Sequence, residues 1–253
     1  MNCVIVSDIH FGVGDNELVK KKLNRLVQFS SNNSNLLICL GDLIGSDKNQ
    51  QIGQEKEDKQ NIKTVMDIMD IFNGTIKYMP GNHDQYNINK ETLYEEFGYS
   101  GDELYDNTVL LDTSFHKRVC GKLNLDHLDS LSPNDVEIIM SHHPYIKHSV
   151  ENNNWFNKNP EMAYCVNRKW GLEIIKNLNP SLMINAHLHQ RRLLNTKICP
   201  AYTLGPFNRK HPESTEPHGH FTHLSNDKIT AHRITNELDV EKVLEINYEK
   251  MFY

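Results

Sequence analysis

Apolar and polar positions divide this chain into two kinds of segment. Short unbroken apolar runs between polar turns read as buried strands. Longer stretches with apolar residues every three or four positions read as helices. Residues 2–7, Leu36 to Leu40 and Thr75 to Met79 are of the first kind, and the last ends at Pro80-Gly81. Residues 15–30 are of the second kind: Leu18, Val19, Leu23, Leu26 and Val27 fall at helical spacing, and Asp15 is placed to cap the N-terminus. Within it, Lys20-Lys21-Lys22 reads as a solvated face. Residues 46–61 are almost wholly polar, contain Gly53, and read as a flexible surface loop. Periodicity resumes at Ile62, and Val65, Ile68, Met69 and Phe72 mark a second helix. The order strand, helix, strand, helix, strand over the first 80 residues predicts an α/β layered domain. Beyond it, the pattern predicts a helix over 90–97, strands near 104–112 and 136–141, a helix at about 167–178 and a strand at Leu182-Met183-Ile184. The tail from 199 onward is β-patterned, with Asn226-Asp227 as a turn between His220–Leu224 and Ile229–Ile234.

Length and composition narrow the classes. At 253 residues, the chain suits a single domain over 1–253, without internal repeat and long enough for a sizeable core. A formal charge of −6 argues against a broad basic surface for nucleic acid. Cys3, Cys39, Cys120, Cys165 and Cys199 are odd in number and scattered, which points to core thiols in a reducing compartment. The N-terminus runs straight into an apolar strand with no signal-peptide pattern, and no stretch is apolar enough to span a membrane. The expected location is cytoplasmic. Oligomeric state has no signature here.

The chemistry lies in five short clusters, each following an apolar run: Asp8-Ile9-His10, Gly41-Asp42, Gly81-Asn82-His83-Asp84, His142-His143-Pro144 and His187-Leu188-His189. In open α/β sheets, ligands gather beyond the carboxyl ends of strands. Carboxylate and amide oxygens with imidazole nitrogens suit manganese, iron or zinc. A carboxylate can bridge two such ions, and two ions about 3.5–4 Å apart can serve an in-line displacement at phosphorus. The clusters therefore read as one two-metal hydrolytic site.

Taken in order, D-x-H, G-D, G-N-H-D, H-x-P and H-x-H over residues 8–189 resemble the calcineurin-like metallophosphoesterase superfamily. The resemblance implies a four-layer αββα sandwich of two mixed β-sheets flanked by helices. It implies that Asp8, His10, Asp42 and His189 hold one divalent ion, and that Asp42, Asn82, His142 and His187 hold a second. Asp42 would bridge, and manganese is the first expectation, with iron or zinc as alternatives. His83 would stand near the leaving-group oxygen as proton donor, oriented by Asp84. A hydroxide held between the metals would attack the phosphate ester. The family usually has Gly before the last H-x-H; here it is Ala186. Serine/threonine protein phosphatases carry Glu after the third-motif His and Arg after the second motif. This chain has Asp84, and Leu43-Ile44-Gly45-Ser46, which points away from them.

Several residues have two readings. The H-x-P spacing favours His142 over His143, which would be a packing or supporting residue. His218-Gly219-His220, with His211 and His223 nearby, is a second H-x-H, but it follows a polar stretch and reads as a solvated loop. Trp155 and Phe156 could stack on substrate or pin their loop to the core. Arg209 and Lys210 could meet a phosphate or lie on the surface. The favoured substrate is a phosphodiester of a nucleotide or nucleic-acid end. Phosphomonoester hydrolysis is the alternative, and a non-catalytic scaffold, as in the retromer subunit of the superfamily, is a more distant one.

Overall fold

The computed structural model describes residues 1–46, 53–115, 117–147, 156, 158–208, 219–225 and 228–248. One sheet is built from both ends of the chain. Its strands are β1 (Asn2–Val6), β2 (Leu36–Leu40), β3 (Thr75–Met79), β10 (His220–Ser225), β11 (Lys228–Ile234) and β12 (Val240–Asn247), in the order β12-β11-β10-β1-β2-β3. β1, β2 and β3 run parallel, and β10 returns antiparallel along β1. The second sheet comes wholly from the middle of the chain. Its strands are β4 (Glu103–Tyr105), β5 (Thr108–Leu111), β6 (Ile138–Ser141), β7 (Leu182–Asn185), β8 (Arg192–Leu194) and β9 (Ala201–Thr203), in the order β4-β5-β6-β7-β9-β8. Its centre is parallel and its two edges are antiparallel.

Alternation along each strand builds the layers. Cys3, Ile5, Leu36, Ile38 and Leu40 of the first sheet pack against Leu110, Ile138, Met140, Leu182 and Ile184 of the second. The intervening Val4, Val6, Leu37 and Cys39 face outward and pack under helices α1 (Asn16–Asn33) and α2 (Gln54–Met69). Val109, Ile139 and Met183 likewise pack under α4 (Leu125–Ser130) and α5 (Arg168–Leu178). α3 (Lys90–Phe97) adds Leu93 to the first outer layer. This is the expected αββα sandwich of two mixed six-stranded sheets. Central strands covered on both faces read as continuous apolar runs, which is why the sequence shows them so plainly. All five cysteines are buried free thiols. Among the described residues, no helix is long and apolar enough to cross a membrane.

Asp15 caps α1 as expected, accepting a hydrogen bond from the Leu18 amide at 3.0 Å. Two other expectations need correction. Residues 46–61 are not a loop throughout: α2 begins at Gln54, after Gly53 at φ 95°. Its first turns, Gln54 to Asn61, are rich in good helix formers. Only Asp58 among residues 54–61 is buried, so no apolar stripe announces the helix. Residues 47–52 lie outside the described residues. The Lys20-Lys21-Lys22 run is not wholly solvated: Lys22 is buried and donates to Asn236 Oδ1 at 3.0 Å. The expected turn at Asn226-Asp227 also lies outside the described residues, though β10 and β11 pair on either side of it.

Candidate metal centre

Five parallel strands, three from one sheet and two from the other, end at one place. Just beyond β1 lie Asp8 and His10, beyond β2 Asp42, beyond β3 Asn82 and His83, beyond β6 His142, and beyond β7 His187 and His189. The turns are tight. Gly41 sits at φ 87°, and a Cβ there would run into the His142 ring. A Cβ on Gly81 would strike the Asp42 carboxylate. Asp8, His10, Asp42, His187 and His189 take left-handed backbone conformations themselves, with φ of 53°, 45°, 55°, 67° and 52°. Ala186 is absent from the positive-φ residues, because the left-handed step falls on His187. The Gly-to-Ala departure is therefore compatible with the turn.

Asp8, His10, Asp42 and His189 each bring one donor atom into a cluster within 4.8 Å. His10 Nε2 and His189 Nε2 are 3.1 Å apart. His189 Nε2 lies 2.9 Å from Asp8 Oδ1, and His10 Nε2 lies 3.8 Å from Asp42 Oδ2. Two donors each about 2.1 Å from a shared ion would sit about 3.0–3.4 Å apart, which matches the His–His separation. On the other side, His142 Nε2 is 3.3 Å from Asp42 Oδ2 and 3.4 Å from Asn82 Oδ1. His142, His143 and His187 form a second cluster within 4.8 Å. Asp42 Oδ2 thus faces both groups.

Hydrogen bonds on the far side of each ring set which nitrogen faces inward. His142 Nδ1 donates to the Leu40 carbonyl at 2.9 Å, leaving Nε2 for the site. His187 Nε2 donates to the Met162 carbonyl at 3.2 Å, leaving Nδ1. Asn82 Nδ2 donates to Tyr86 Oη at 2.8 Å, which turns Oδ1 inward. His143 has no such spare nitrogen: Nδ1 meets Thr113 Oγ1 at 3.1 Å and Nε2 the Val119 carbonyl at 2.9 Å. Its ring packs on His187 with centroids 4.5 Å apart.

The electrostatics suit cations. Asp8 Oδ1 and Asp42 Oδ2 are buried and carry no hydrogen bond. Burial works against the Asp42 carboxylate, but His142, His83 and His10 hold it well below the usual range. Burial also opposes charge on His142, yet Asp42 outweighs it and lifts that imidazole to about 9. Burial, with neighbouring imidazoles, pushes His10 and His187 well down, so they present neutral lone pairs. A donor set of buried carboxylate oxygens, neutral His10 and His187, and a His142 that gives up its proton to a metal fits divalent ions.

His83 stands beside this set, half-buried, its ring 4.8 Å from that of His10. Its backbone N–H donates to Asp42 Oδ1 at 2.8 Å. Its Nδ1 donates to the Ser46 carbonyl at 2.6 Å. The expected orienting role of Asp84 is therefore corrected. Asp84 instead accepts the backbone N–H groups of Asp42, Gly81 and Ile44, at 2.9, 2.9 and 3.3 Å. Burial, with Asp42 adding to it, raises Asp84 to about 7. It ties the second and third cluster loops together. No side-chain pattern in the sequence marks the Ser46, Leu40 and Met162 carbonyls, because every residue carries one.

The remaining candidates divide. Phe156 is buried and packs on His187 with centroids 5.0 Å apart, so it pins its segment to the core. His220 starts β10, lies 3.4 Å from Arg191 Nη1, and belongs to neither donor cluster. His223 meets Asn2 Oδ1 at 2.8 Å, on the far side of β1 from the site loops. Trp155, Arg209, Lys210, His211 and His218 lie outside the described residues.

Comparison with known proteins bears on the whole arrangement. A family model described as calcineurin-like phosphoesterase matches residues 1–191. Among solved structures, a dimetal phosphatase from Danio rerio is similar at a TM-score of 0.65 and 15% identity, over 98% of this chain and 99% of that one. A phosphopantetheinyl hydrolase from Mycobacterium tuberculosis is similar at 0.56 and 12% identity, over 81% and 89%. The anchor protein GAP50 of the Plasmodium inner membrane complex is similar at 0.54 and 11%, over 96% and 88%. At such identities, the likeness speaks for the fold. A comparison with curated proteins gave no match.

Proposed function

The chain belongs to the calcineurin-like phosphoesterase family, and from that premise we propose that it is a binuclear-metal phosphoesterase acting on a phosphodiester of a nucleotide or nucleic-acid end. Asp8, His10, Asp42 and His189 would hold one divalent ion, and Asp42, Asn82, His142 and His187 the other, with manganese first in expectation. The observation that carries this reading is the pair of buried carboxylates, Asp8 and Asp42, whose inward oxygens Oδ1 and Oδ2 make no well-formed hydrogen bond and face only the candidate imidazoles. Two carboxylates buried together are costly unless cations answer them. When bound, two such ions supply Lewis acidity toward phosphate oxygens and make hydroxide available at neutral pH.

The protein's own residues do the rest. Asp42 faces both clusters and fixes their spacing. The backbone carbonyls of Leu40 and Met162 hold His142 and His187 in the tautomers that offer lone pairs. His83 keeps one proton on Nδ1 against the Ser46 carbonyl, so a second proton taken up at Nε2 is the one that passes to the departing ester oxygen, leaving the neutral Nδ1–H imidazole. That role matters most for a poor leaving group such as an alkoxide. The buried free thiols fit a reducing, cytoplasmic setting.

The test is a metal analysis with a substrate panel. Protein purified in Mn²⁺ should carry two ions and cleave bis-p-nitrophenyl phosphate and cyclic or linear nucleotide diesters faster than p-nitrophenyl phosphate. His83→Ala should keep both ions and lose about 10²–10⁴-fold in turnover on the nucleotide diesters, whose leaving group is an alkoxide. Faster monoester cleavage would replace the diester assignment. Two ions with no hydrolysis of either class would leave the scaffold reading standing.

A further inference from the structure

The polar first half of α2 reaches the site through a buried network. Asp58 is 2% exposed and Ser46 is 3% exposed. Ser46 Oγ lies 2.6 Å from Asp58 Oδ2 and 2.6 Å from Asn87 Nδ2. Asn87 Nδ2 also reaches Asp58 Oδ2 at 2.8 Å, and Gln54 Nε2 donates to Asp58 Oδ1 at 2.9 Å. The directions follow from the groups. An amide NH₂ only donates, so Ser46 Oγ accepts from Asn87 and gives its own proton to the carboxylate. Ser46 is thereby pinned from two sides, and its carbonyl is the acceptor for His83 Nδ1 at 2.6 Å.

We propose that Asp58 is a positioning residue for His83, acting through Ser46. The proposal rests on the phosphoesterase reading above for its kinetic consequence, but not for its geometry. Asn87 follows His83 by four positions on the same segment, so the network closes on itself: His83 to Ser46, Ser46 to Asn87 and Asp58, and Asn87 back along the chain to His83. Asp58 is the anchor because it brings a separate element, α2, to the ring of contacts. A carbonyl oxygen only accepts, so a fixed Ser46 carbonyl keeps the proton on Nδ1 and aims Nε2 inward. With Ser46 loose, the imidazole gains a second tautomer and rotational freedom, and proton donation to a poor leaving group suffers.

The experiment uses full-length Asp58→Ala and Asp58→Asn. Long-range ¹⁵N–¹H spectra of the imidazoles, in diamagnetic zinc-loaded protein, report the His83 tautomer, with His83→Ala supplying the assignment. Asp58→Ala should populate both His83 tautomers while metal content stays at the wild-type value. Its kcat should fall about 10–100-fold for a diester with an alkoxide leaving group, with little change for p-nitrophenolate and little change in KM. Asp58→Asn keeps an acceptor oxygen and should recover part of the loss. Unchanged His83 signals, or equal losses for both leaving groups, overturn the proposal. If Asp58→Ala does not fold, Ser46→Ala removes the hydroxyl that Asp58 holds while keeping the carbonyl, and is judged by the same two readouts. Wild-type protein inert toward every ester would overturn the functional reading alone, since the imidazole spectra decide the positioning without turnover.

Discussion

Asp8, His10, Asp42, His187 and His189 hold φ between 45° and 67°, a region that costs an L-residue with a Cβ roughly 1–2 kcal/mol. Backbone strain gathered on the donor residues indicates that the loops are shaped for the site rather than for their own stability. Asp8 carries an electrostatic cost as well. Burial, with Asp42 adding and the imidazoles opposing, raises its carboxyl above the usual range. In metal-free protein, Asp8→Asn should therefore raise Tm by about 2–4 °C, the size of a 1 kcal/mol gain for a chain of this length. The same variant should bind fewer than two ions. Melting in EDTA and metal analysis check both, and a lower Tm in EDTA would contradict the account. The candidate donors are legible in the sequence, because each is a distinctive side chain directly after an apolar run. Spacing favours His142 over His143, and in the structure both nitrogens of the His143 ring have partners. The groups that orient the donors were not legible. They are backbone carbonyls, or side chains such as Ser46 and Asp58, that look like ordinary loop polarity.

β2, buried throughout, could be read from the sequence to its ends, and β3 and α3 also fall where the pattern puts them although α3 buries only Leu93. Elements that are short, or whose apolar periodicity is weak, were hidden. α4 is six residues long, too short to show a helical period. β12 alternates weakly and is mostly exposed or half-buried. The first turns of α2 present only Asp58 inward, a polar residue that a hydrophobic count misses. β11 makes a prediction of its own. His232 on this strand stacks on Phe221, with centroids 5.0 Å apart and planes at 13°. Burial, with His223 and Lys242, lowers its pKa to about 4. Its unfolded value is about 6.5, so the unfolded chain binds the extra proton in that window. Stability from this group is full above about pH 6.5 and is lost as pH falls toward 4. His232→Phe should lose less urea-midpoint stability than wild type between pH 7.5 and 5, both measured in EDTA. Equal losses would remove His232 from the acid response.

At the scale of the molecule, the site lies where the ends of two sheets meet, with β1, β2 and β3 on one side and β6 and β7 on the other. Neither sheet holds a complete donor set. The first sheet, moreover, joins the two ends of the chain: β1 lies between β2 and β10, and β10 is followed by β11 and β12. The family match stops at residue 191, before any of those last three strands. A chain ended after Phe207 would keep every residue assigned to the metals and to proton transfer. It would leave the Asn2–Ile5 edge of β1 unpaired, since those residues register with Ser225 to Thr222. Such an edge invites association with other chains. That truncation should therefore aggregate and bind no metal; a monomeric, metal-loaded fragment on size exclusion would disprove the dependence. On a ribosome, which makes proteins N-terminal end first, the same topology sets a schedule. All the candidate donors have been synthesised before the strand that shields the founding strand emerges, so the nascent chain must wait with those donors made but unassembled and its central strand uncovered.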